Sequence, residues 1–287
     1  MNQPLWMPKR RIEVAFRRAL LDISKGIVMR VGETSDPAII TATLEHLSRS
    51  PDFIQLAESI AMKMVTGLFD DTGRTWREAA RNNGRGREIY QSLQKELLGA
   101  RGERIRALVK ENADLISTLP KNIADDVTAY VARETMKGRR SSDIADEIRR
   151  MFPKKTKACA QLIARTQVSM TQTNLVQARA EDLGLDWYVW RACGGNQGDG
   201  RTRSSHKHMS GVLINWNDPP APEDLFPLRR VDGTPYNNTL GHYHAGCCPN
   251  CRCYPEPVVD LDVLQFPMRV YRNGHIERIS RKQFERR

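Results

Sequence analysis

Cys248-Pro249-Asn250-Cys251-Arg252-Cys253 places three thiols within six residues, and the character of the C-terminal part of the chain turns on them. A C-x-x-C spacing lets two thiolates reach one ion, and residues two apart in an extended segment face the same side. Cys251 and Cys253 therefore point one way while Arg252 points the other. Soft thiolate ligands select zinc among the common ions. Three sulfurs leave a fourth position, for which His206, His208, His242 and His244 compete. Five of the six cysteines and four of the six histidines fall between Cys193 and Cys253, so the supply of ligands is local. A set of free buried thiols is the plainer alternative. Disulfides between such near neighbours would close strained small loops.

Around this cluster the chain is short of helix and rich in turns. Trp187, Tyr188, Val189 and Trp190 read as a short strand, and Val212-Leu213-Ile214 as a second. Gly194 to Gly200 is a loop without the Lys-Ser/Thr ending of a phosphate cradle. Residues 215 to 250 read as irregular. Asn273-Gly274 within Met268 to Ile279 is the strongest hairpin signal in the chain.

Upstream the texture changes to helix after helix. Ile12, Phe16, Leu20, Ile23, Ile27 and Val31 make one apolar stripe at spacings of three and four. Asp36-Pro37 and Ser50-Pro51 each set a capping residue before a proline at the first helical position. Gly73 and Asn82-Asn83-Gly84 read as breaks. A helix opening near Ser141 or Ser142 is expected to stop at Pro153, and a long one to run from Lys154 to about Leu183, closed by Gly184. The expected fold class is α+β. Residues 1–153 form a helical region, 154–260 a small, few-stranded and zinc-stabilised module, and 261–287 a basic hairpin and tail.

The order of motifs resembles the Mu F-like head-morphogenesis, or minor head, proteins of tailed bacteriophages. Lys110-Glu111-Asn112-Ala113-Asp114-Leu115-Ile116 before Leu119-Pro120 is similar to one helical segment of that family. Leu162-Ile163-Ala164-Arg165-Thr166-Gln167, with Asn174 and Arg179, is similar to another. Leu183-Gly184-Leu185, Tyr188 and Trp190-Arg191 follow, then Asp199-x-Arg201-x-Arg203-x-x-His206, Gly211, Pro219-Pro220 and Cys251-Arg252-Cys253. The likeness covers roughly residues 110 to 258. It departs at Ala245-Gly246, where the family commonly has Pro-Gly, and in the longer Gly194 to Gly198 insert. Many relatives carry C-x-x-C where this chain has Arg203-x-x-His206, and a position that accepts either Cys or His behaves as a metal ligand. The resemblance thus implies His206, Cys251 and Cys253 as ligands, with Cys248 or His244 as the fourth.

The resemblance also implies a minor structural protein of the phage head. It would associate with the portal protein and other head proteins (major capsid, scaffold), assist assembly, and touch packaged double-stranded DNA. Virion and, during assembly, host cytoplasm are the expected locations. Composition is compatible: 45 Lys and Arg against 34 Asp and Glu give the 287-residue chain a net charge of +11, and such an excess suits polyanions. Arg10, Arg11, Arg17 and Arg18 near the start, with Arg278, Arg281 and Lys282 near the end, are the candidates for sequence-independent phosphate contact. No apolar run approaches the roughly 18 residues of a membrane span, and no signal peptide is legible. The rival reading is a metal-dependent hydrolase or nuclease built from Asp199, His206, His242 and His244 around an open ion. Against it stand the absence of H-E-x-x-H and the sulfur-rich donor set, which favours a closed structural site. A non-enzymatic role is expected.

Overall fold

The computed structural model describes residues 4–32, 34, 36–81, 85–94, 100–195, 198–227 and 240–286. Seven helices come first: α1 Arg10–Val31, α2 Pro37–Ser48, α3 Pro51–Arg81, α4 Gly86–Gln94, α5 Ala100–Ser117, α6 Leu119–Met136 and α7 Ser141–Asp182. Then follow β1 Trp187–Arg191, α8 Ser204–Met209, β2 Leu213–Asn215, α9 Pro222–Leu225 and β3 Tyr254–Pro257. A single 3-10 turn, Leu261–Val263, precedes the closing β4 Met268–Arg272, β5 His275–Ile279 and α10 Arg281–Glu285. The class is α+β, as expected.

The chain divides into two compact units that alternate along the sequence. Arg10–Gly67 and Ala100–Gln167 form one, and Met1–Lys9, Leu68–Gly99 and Val168–Arg287 form the other. The boundary expected at 153/154 falls inside α7, because that helix does not stop at Pro153. Proline removes one backbone donor and crowds the carbonyl four residues earlier. Here both Pro153 and Arg149 are exposed, so water can satisfy the freed carbonyl and the helix continues. Gly73 does not break α3 either. A Cβ there would make only ordinary contact with the Arg179 guanidinium, at 3.5 Å, and that buried arginine donates to Phe69 O at 3.1 Å and to the Thr72 hydroxyl. The Asn82-Asn83-Gly84 break lies outside the described residues.

In the helical unit the stripe read from α1 is buried through Phe16, Leu20, Ile23, Ile27 and Val31. The Asp36 side chain caps α2 by accepting from Ala38 N at 2.9 Å. Ile40, Leu44 and Leu47 of α2 are buried, as are Ile123, Ala124 and Val127 of α6, against which α2 packs.

The second unit is organised by one five-stranded sheet of order β3-β1-β2-β4-β5. β1 pairs antiparallel with β2 and β3, β2 runs parallel to β4, and β4 and β5 form the expected hairpin. Asn273 and Gly274 turn it with φ of 51° and 83°, the left-handed pair that a two-residue hairpin loop requires. Side-chain alternation splits the sheet cleanly. Tyr188, Trp190, Ile214 and Tyr271 share a core with Val176 and Ala180 of α7 and with Trp76 of α3. Trp187, Val189, Leu213, Val270 and Ile279 form a second core, with Phe284 of α10. Both faces are covered, which is why β1 reads as an unbroken apolar run rather than an alternating one.

Candidate metal centre

His206 reaches the interior because a tight turn launches α8. Asp199 Oδ1 accepts from the Thr202 hydroxyl at 2.8 Å and from Arg201 N at 3.1 Å. The helix that follows carries His206 inward to 2% exposure, while His208 stays outside. The cysteines arrive on the loop after residue 240, pinned to α7 by two hydroxyls one turn apart. Thr173 Oγ1 donates to Ala245 O at 2.7 Å, and Ser169 Oγ to Cys251 O at 2.9 Å. Gly246, at φ 90°, lies so close that a Cβ would stand 2.8 Å from Thr173 Oγ1 and 2.9 Å from Cys253 O. Only glycine fits there.

The loop and α8 bring four of the expected ligands together. Cys251 Sγ lies 3.4 Å and Cys253 Sγ 3.5 Å from His206 Nδ1, and Cys248 Sγ lies 3.8 Å from His206 Nε2. The donor atoms of His206, Cys248 and Cys251 all fall within 4.8 Å of one another, and all three residues are buried. Bond lengths of about 2.3 Å to sulfur and about 2.0 Å to nitrogen separate neighbouring donors of a tetrahedral ion by roughly 3.6 Å. The spacing around Nδ1 fits such an ion. Crowding already shows in the thiols. Hydrogen bonds from Cys248 and Cys253 hold Cys251 well below the usual thiol range, and the same bonds, with burial, push Cys248 and Cys253 up.

Groups around the cluster aim the imidazole. His206 Nε2 lies 2.9 Å from the Tyr243 hydroxyl, which donates at 2.6 Å to Glu223 Oε2. Glu223 Oε1 also lies 3.6 Å from Nε2. Burial opposes ionisation of Glu223, but hydrogen bonds from His206 and Tyr243 outweigh it and lower its pKa. This relay fixes the proton on Nε2 and leaves Nδ1 free to bind, the usual arrangement around a ligating histidine. Arg203 adds a cation: its guanidinium donates to Cys248 Sγ at 2.8 Å and to Pro249 O at 3.0 Å.

His244 stands apart. Its Nδ1 lies 3.1 Å from the Tyr188 hydroxyl and its ring packs edge-on against Tyr188 and Trp216. Of Cys248 and His244, the cluster thus includes Cys248. The other residues of the hydrolase reading do not converge either. His242 is exposed with Nδ1 on Pro219 O at 2.7 Å, and Asp199 is spent on its turn. His208 stacks on Phe226 with Nδ1 on Ser204 O. Sequence reasoning missed Tyr243, Glu223 and Arg203. Only Arg203 carried a signal, since it stands where many relatives place a cysteine.

Of the phosphate candidates, Arg10, Arg11 and Arg18 are exposed and Arg17 is half-buried on α1, while Arg278 and Lys282 are exposed in the other unit. Arg281 is engaged by both Glu285 and Asp262.

A small mixed sheet, covered on both faces and joined to a buried cluster of three cysteines and one histidine that could hold a metal ion, defines a compact α+β module. Residues 125–255 match the family described as Phage Mu protein F like protein. A Haemophilus influenzae protein described as "Uncharacterized protein" is 31% identical over 158 residues, which are 55% of this chain and 30% of that one. The chain therefore matches less than a third of that relative's length. No solved structure matches. Among the described residues no helix is long and apolar enough to cross a membrane.

Proposed function

We propose that the chain is a minor structural protein of a tailed-phage head, that it joins the head at the portal, and that zinc locks its Mu F-like region. One observation carries this reading: the family match over residues 125–255 contains the whole buried cluster, since His206, Cys248, Cys251 and Cys253 all lie inside it. Bound there, zinc would act as a cross-link between α8 and the cysteine loop. Thiolate-rich, buried, fully protein-ligated sites serve that structural purpose, whereas catalytic zinc keeps an open position for water. Exposed Arg278 and Lys282 supply the sequence-independent contact with packaged DNA.

The deciding experiment is to isolate heads from an infection in which DNA packaging is blocked. A structural, portal-joined protein is expected in empty heads in the same small copy number as in full ones. Its appearance only after DNA enters, or only free in the host cytoplasm, would refute the reading.

A further inference from the structure

The helical unit carries an apolar trough that the head-protein reading does not use. Two cavities of about 420 and 480 Å³ lie between α1 and α3 and share Ala19 and Ile60. One continues past Ile12, Ala15 and Phe16 to Arg11 and Gly67, the other past Ile23 and Ile27 to Arg30, opposite Leu56 and Asp52. From Arg11 to Arg30 the trough runs roughly 28 Å at about 1.5 Å per residue, the length of five helical turns. Ala15 and Leu56 are exposed along it.

Its borders are basic. Arg11, Arg18 and Lys25 are seven residues apart and form one row along α1, with Lys63 lining the α3 side and Arg30 one end. The two lining carboxylates are Asp22 and Asp52, and Asp22 is paired with Lys25 at 3.1 Å. A trough two helices wide, apolar along its floor and bordered by cations, is the counterpart of an amphipathic helix with an apolar ridge and acidic flanks. Nucleic acid would use the cations and leave the apolar floor uncovered.

We propose that the α1–α3 trough docks an acidic amphipathic helix of another protein. The test uses the full-length protein and a fluorescent peptide of about 20 residues, helical in design, with leucine on its ridge and glutamate on its flanks. A control peptide carries lysine in place of glutamate. The acidic peptide is expected to bind and to weaken as salt rises, and the lysine peptide not to bind. Ala19→Trp fills the point shared by both cavities, and Ala15→Trp fills one of them from an exposed position where folding is undisturbed. Each is expected to weaken binding about tenfold or more, as is Arg18→Glu with Lys63→Glu, with helical circular dichroism unchanged. Equal binding of the two peptides, or of neither, overturns the proposal. So does binding that the tryptophan variants leave intact while short duplex DNA competes, which assigns the cations to nucleic acid. Self-association lost in Ala19→Trp without peptide binding assigns the trough to a second copy of the chain.

Discussion

His206 is buried and His244 half-buried near the same loop, and their environments set them opposite tasks. Burial disfavours the charged form of His206, but Cys251 and Glu223 outweigh it and raise its pKa. At His244 the Glu181 carboxylate and a backbone hydrogen bond with Trp216 do not offset burial, which lowers the pKa to about 4, against an ordinary 6.5. The neutral ring is therefore the folded form. Above pH 6.5 neither state binds the proton and stability is unaffected. As pH falls from about 6.5 towards 4 the unfolded chain takes up a proton that the folded chain refuses, so stability drops through that window and levels off below it. The full effect is on the order of 3 kcal/mol. His244→Phe keeps the ring packing and removes the titration, so denaturant midpoints measured across this range should vary less for the variant than for the wild type. Equal slopes would show that His244 is already solvated in the folded protein. The thiols were legible from sequence because their spacing alone confines them to one neighbourhood. The histidines were not, because side chains alternate along an extended segment: turning Tyr243 inward towards His206 sends His242 and His244 elsewhere.

At the scale of the element, legibility followed local chemistry and failed where a distant partner decided. The β4–β5 hairpin was readable because Asn273 and Gly274 tolerate positive φ, and β1 because four bulky apolar residues run together. β3 was missed because Tyr254-Pro255-Glu256-Pro257 carries two prolines. It forms because it is an edge strand, where a missing donor faces outward. The helix α10 did carry a signal, since Ser280 N donates to Gln283 Oε1 at 2.8 Å and the Ser-x-x-Gln pattern announces that cap. The helix α7 shows the reverse error, a local rule overridden. Pro153 marks a stop, but Ile148 and Phe152 bury one face, Thr156 Oγ1 donates to Phe152 O at 2.8 Å, and the proline points to solvent. Its conformational penalty is then carried by the rest of the helix. Pro153→Ala should therefore stabilise the protein, by roughly 1–3 kcal/mol, read as a higher denaturant midpoint with unchanged helical signal. A lower midpoint would mean that the packing depends on a bend at Pro153.

For the whole molecule, the change of texture near residue 153 suggested consecutive regions, whereas the compact units recruit separated stretches, with Leu68–Gly99 joining Val168–Arg287. Such long-range grouping leaves no periodicity to read. It does give metal removal a defined reach. If zinc cross-links α8 to the cysteine loop, the purified protein should carry about one zinc per chain. Chelation or Cys251→Ser with Cys253→Ser should then loosen residues 168–287 in hydrogen exchange and leave protection within 100–167 largely intact. Uniform protection throughout, with or without metal, would remove zinc from the account. The proposed contact with DNA belongs to the same scale, because it would sum over charges rather than reside in one. Arg281 is already held by Glu285 and Asp262, and hydrogen bonds to both keep its pKa raised, so engaging a phosphate would require breaking pairs that are in place. Arg278 and Lys282 are the exposed cations beside it. Reversing both to glutamate should weaken retention of duplex DNA and flatten its salt dependence between about 50 and 200 mM, since fewer counterions are then released. Arg281→Ala should change either quantity less. Incorporation into heads, which on the proposed reading rests on protein contacts, should survive all three substitutions. If Arg281→Ala proves as damaging as the double reversal, the Asp262–Arg281–Glu285 group is what positions the basic surface, and the arginine acts through the fold rather than through phosphate.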